Sequence, residues 1–131
     1  MLDVRPSPIA GTWYEGNKET LARVVDNFLN NAQLPALDGE VIGVIAPHAG
    51  HQYSGAVAGY AFAVIKELKP DLVAVISPFH NYSNHPLLTT AHDAYGTPLG
   101  RIEVDKSAMA ELSSHLDIPI TPVVADKEHS L

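Results

Sequence analysis

The 131-residue chain has no cysteine, so it contains neither a disulfide nor a thiolate metal ligand. Basic residues are scarce: eight Lys and Arg stand against fifteen Asp and Glu, a formal net charge of -7. The eight are scattered, which argues against a nucleic-acid surface, because phosphate binding draws on grouped Lys and Arg. No apolar run approaches the ~18 residues that a membrane-spanning helix requires. The amino terminus lacks the basic-then-apolar order of a signal peptide, since Asp3 and Arg5 lead into a proline-rich turn. Repeats and low-complexity stretches are absent. A soluble cytoplasmic protein is expected, one domain by length and able to bury about two-thirds of its unfolded surface.

What the chain does have is a pair of β-branched apolar runs, each leading to a histidine. Val41 to Ala46 runs into Pro47-His48-Ala49-Gly50-His51-Gln52-Tyr53-Ser54-Gly55, and Leu72 to Ile76 runs into Ser77-Pro78-Phe79-His80. Short runs of this kind, flanked by Pro and Gly, read as strands buried on both faces of a parallel sheet. Ser54 is the expected cap of a helix over about residues 55–68. The resulting strand–helix–strand unit implies a right-handed crossover and parallel strands. Ligands bind at the carboxyl ends of such strands, and two imidazoles meeting there suit a metal or proton-transfer centre.

The remaining elements complete an α/β order. Leu21, Val24, Val25, Phe28, Leu29 and Ala32 recur at helical spacing behind Asn17, a suitable N-cap. Leu87 to Ala91 reads as a short strand, Asp105 caps a helix reaching about His115, and Ile118 to Val124 reads as the last strand. A third histidine, His129, follows that strand close to the end of the chain. A domain seldom stops at a strand end beside a candidate site residue, so residues 1–131 are expected to be the amino-terminal part of a longer domain. The strands then missing would leave an apolar edge open to self-association.

Five motifs, in order, carry a resemblance to a known family. These are Arg5 with Ala10-Gly11-Thr12-Trp13-Tyr14; Pro47-His48-Ala49-Gly50 with Tyr53-Ser54-Gly55; Ser77-Pro78-Phe79-His80; Thr97-Pro98-Leu99-Gly100 with Asp105; and Glu128-His129-Ser130-Leu131. The chain resembles the MEMO family (mediator of cell motility, with the AmmeMemoRadiSam system protein B group) over essentially its whole length. That resemblance implies a three-layer α/β fold, a mostly parallel central sheet with helices on both faces, similar to class III extradiol dioxygenases. Those enzymes hold non-haem iron with two histidines and a carboxylate, and many family members contribute a cysteine later in the sequence. Carried over by motif, His48, His80 and His129 would be the metal ligands and catalytic residues.

Imidazole is a good ligand for iron, copper and zinc, and such sets leave coordination positions open. By sequence, Glu128 and Asp126 are the nearest carboxylates to His129, while Tyr53, Ser54 and Asn81 are available to orient the rings. His51 stands where the family usually has an aromatic and reads as a pocket-rim residue. His85, His92 and His115 read as solvated loop or helix-end residues, the last favourable at a helix carboxyl end. Trp13 and Tyr14 read as a strap on the sheet, Gly50 and Gly55 as tight backbone near the site, and Thr97 to Gly100 as a turn at a pocket edge. No P-loop is present. Three functions remain open: a metal-dependent redox enzyme, a hydrolase using metal-bound water, and a scaffold that binds a peptide, small ligand or metal without turnover.

Overall fold

The computed structural model of the chain describes residues 1–124 and 126–131. It is an α/β structure whose chain divides into two compact units. One comprises residues 1–8 and 78–129, the other residues 9–77 and 130–131.

The first unit carries five short strands and one helix. Val4–Pro6 (β1) pairs in parallel with Ala94–Thr97 (β3), which pairs antiparallel with Gly100–Glu103 (β4). Thr97 faces Gly100 across a two-residue turn, Pro98-Leu99, so the expected turn is a hairpin; the φ of +145° at Gly100 is one that few side chains tolerate. Leu87–Thr90 (β2) pairs in parallel with Ile120–Val123 (β5), within the two carboxyl-terminal segments read as strands. Lys106–His115 forms a helix (α3) capped as expected: the Asp105 carboxylate accepts the Ala108 N–H at 2.9 Å. Ala94 is fully buried, and so, nearly, are the charged Arg5 and Glu128.

The second unit is helical. Lys18–Asn31 (α1) starts where Asn17 Oδ1 accepts the Thr20 N–H at 2.9 Å, and it buries Leu21. Its neighbour, Ala56–Ile65 (α2), follows a single π-helical turn, His51–Gly55. Ser54 is therefore inside helical backbone and is not the cap; its hydroxyl donates to the Ala49 carbonyl at 3.0 Å. The helices approach so closely at Gly59 that a Cβ there would stand 2.6 Å from the Phe28 carbonyl oxygen.

Two further expectations require correction. Residues 41–46 and 72–76 are not strands, and Ile42, Ile45 and Ile76 are almost fully exposed. A β-branched apolar run is compatible with a buried strand, but a strand forms only where a neighbour completes its hydrogen-bond ladder. Both runs belong to the helical unit, and the described strands pair elsewhere in two separate small sheets. The strap reading also changes. Residues 10–14 close on themselves through the Ala10–Tyr14 bridge, and Trp13 lends its carbonyl to the His51 N–H at 2.9 Å. No helix among the described residues is long and apolar enough to cross a membrane.

Candidate metal centre

The buried charges of the first unit converge on Glu128. β1 places Arg5 in register with Tyr95 of β3, and the guanidinium lies over that ring, 5.1 Å from its centroid. Burial raises the pKa of the Tyr95 phenol, so the ring is neutral beneath the cation. Arg5 Nε meets Asp126 Oδ2 at 3.0 Å and also donates to the Asp126 carbonyl, while Nη2 donates to the Glu128 carbonyl. Asp126 Oδ1 in turn accepts the Glu128 N–H at 2.8 Å. The turn carrying Glu128 is therefore clamped from both of its ends.

Its carboxylate faces two histidines. Oε2 accepts the His80 backbone N–H at 2.6 Å, and Oε1 lies 2.7 Å from His80 Nδ1 and accepts the His129 N–H at 2.8 Å. With Glu128 ionised the carboxylate only accepts, so in the neutral His80 ring the contact pairs with a proton on Nδ1 and leaves the lone pair on Nε2. The two rings stack with centroids 4.4 Å apart and planes inclined by 28°. Ligating atoms of His80, Glu128 and His129 all lie within 4.8 Å of one another. Arg5 thus meets the Asp126 carboxylate directly and the Glu128 segment through its backbone carbonyl.

The other expected site residues are distributed as follows. Asn81 is exposed directly after His80. His48, Tyr53, Ser54 and His51 belong to the second unit, where His48 is exposed in irregular chain and Tyr53 is exposed on the π-turn. His51 lines an open cavity of about 310 Å³ together with Thr12, Trp13, Tyr14, Glu15 and Phe28. Its ring packs on Tyr14 and edge-on to Phe28, and its buried Nδ1 has no hydrogen-bond partner. Burial lowers its pKa, opposed by the charge of Glu15.

His115 ends α3 as expected, and its Nδ1 reaches the Glu111 carbonyl. His92 departs from its solvated reading, since its half-buried ring contacts the Asp3 carboxylate at 3.0 Å. Arg5 was read only as part of a motif, and its partners lie 121 and 123 positions away, beyond any local pattern.

Fold and site together define an α/β protein with a buried carboxylate joining two stacked histidines. Residues 5–131 match the family model described as Memo-like protein. The chain belongs to the Memo-like family. It is 33% identical over 138 residues to a MEMO1 family protein of Pyrobaculum aerophilum, covering 99% of this chain and 49% of that protein. The memo-1 homolog of Caenorhabditis elegans is 34% identical over 116 residues, covering 87% of this chain and 33% of that one. A MEMO1 family protein of Schizosaccharomyces pombe is 32% identical over 130 residues, with 98% and 41% covered. The chain spans about half the length, or less, of these curated relatives.

Proposed function

We propose that the His80–Glu128–His129 cluster is a binding centre for a first-row metal ion: iron, copper or zinc. The observation that carries this reading is the grouping of two imidazoles and a buried carboxylate, ligating atoms within 4.8 Å of one another. His80 and His129 would hold the ion. Glu128 fixes the His80 ring and its tautomer, as outer carboxylates do for metal-ligating histidines. When bound, such an ion supplies Lewis-acid or one-electron chemistry. A metal-dependent redox enzyme of the dioxygenase-like type is the function that this donor set and family membership support best.

The test is a zinc titration against a chromophoric chelator. Glu128→Ala should weaken binding about 10- to 100-fold, and His80→Ala with His129→Ala should abolish it. Equal affinity in wild type and these variants would overturn the assignment. Oxygen uptake with iron-loaded protein and catechols then addresses turnover. A second reading, a scaffold that binds without turnover, draws on the open aromatic cavity beside His51. It predicts stoichiometric ligand or metal binding with no oxygen uptake.

A further inference from the structure

The described polar contacts of the Arg5 side chain all go to the segment that carries Glu128. Its side chain is nearly fully buried and lies on β1, held in register against Tyr95. The Nε contact to Asp126 Oδ2 at 3.0 Å and the Nη2 donation to the Glu128 carbonyl tie residues 126 and 128 to the same guanidinium. Asp126 passes the constraint on through the 2.8 Å hydrogen bond from the Glu128 N–H. Beyond that point the Glu128 carboxylate accepts from His80 twice and from His129 once. Arg5, Asp126, Glu128, His80 and His129 thus form one chain of contacts from the first strand to the candidate ligands. Guanidinium geometry suits this role: its planar fork reaches two acceptors in fixed directions, which an ammonium cannot do.

We infer that Arg5 is a positioning residue for the metal centre, acting through Asp126 and Glu128 to hold His80 in the tautomer whose Nε2 carries the lone pair. This rests on the reading of His80 and His129 as metal ligands. Arg5 touches neither ring among the contacts described, so its effect is transmitted and not direct. Lysine at position 5 keeps the charge beside Asp126 but lacks the rigid fork that meets Asp126 and the Glu128 carbonyl in fixed directions.

The test is nitrogen NMR of the imidazoles in metal-free full chain at alkaline pH, with zinc affinity measured in parallel. Wild type should hold His80 with Nδ1 protonated. Glu128→Ala should return it to the Nε2–H form that free imidazole side chains prefer. Arg5→Lys should shift His80 in the same direction and weaken zinc about 10-fold, with the amide spectrum showing a retained fold. Should Arg5→Lys fail to fold, Asp126→Asn carries the test, since it removes the ion pair yet keeps an acceptor for the Glu128 N–H. Wild-type tautomer in the folded Arg5 or Asp126 variant, beside a shifted Glu128→Ala, would overturn the inference and leave the site reading intact. A fall in zinc affinity with the tautomer unchanged would equally overturn it, marking a purely structural role. An unshifted tautomer in Glu128→Ala would overturn the site reading and the inference with it.

Discussion

Glu128 shows how little freedom a buried carboxylate has once its partners are named. Both oxygens are committed to histidines, and its own backbone is held by Arg5 and Asp126. Its candidacy was legible, because it stands beside His129 in the final motif. The Arg5 clamp was not, since a contact spanning more than 120 positions leaves no periodicity. His51 offers a separate prediction. Burial holds its pKa below the ordinary imidazole value of 6.5. The unfolded chain therefore takes up this proton first as pH falls, so stability is complete above 6.5 and declines below it. Urea unfolding followed from about pH 7 to pH 5 should show this decline, and His51→Gln should flatten it. An unchanged slope in the variant would assign the effect to other groups.

Elements defined by side-chain chemistry were legible, and β2 and β5 lie within segments read as strands, whereas the other strands were not legible. Asn17 and Asp105 cap α1 and α3 at the positions their sequence contexts indicate, because a cap is a local hydrogen bond. Strands β1, β3 and β4 are three or four residues long and too short to show alternation. Conversely, residues 41–46 and 72–76 have strand composition without a ladder. Small residues in α2 permit close packing, and the surface that approaches is α1. Gly59→Ala should cost about 1–3 kcal/mol, because its methyl would meet the Phe28 carbonyl, which is backbone and moves only with the helix. Thermal unfolding checks this, and an unchanged midpoint would show that the helices separate freely.

At the scale of the molecule, Ile42, Ile45, Val73, Val75 and Ile76 stand out as exposed apolar side chains. Apolar surface of this kind drives association, opposed here by a net charge of -7. The account predicts self-association that grows with protein concentration and with added salt, as screening removes the repulsion. Sedimentation at several concentrations tests it; a monomer throughout would contradict it. The α/β class and the family were legible from five ordered motifs, while the separation into two small sheets was not, because motifs record chemistry and not strand pairing.

The measurement that bears most directly on the central claim is metal content by plasma mass spectrometry. Wild type, His80→Ala/His129→Ala and His48→Ala would each be equilibrated without oxygen against Fe(II), Cu(I) and Zn(II) in turn. The account predicts about one ion per wild-type chain for at least one of these metals, lost in the double variant, with His48→Ala testing the ligand that the family resemblance adds. Wild type that retains no metal, or a double variant that retains as much as wild type, would contradict it.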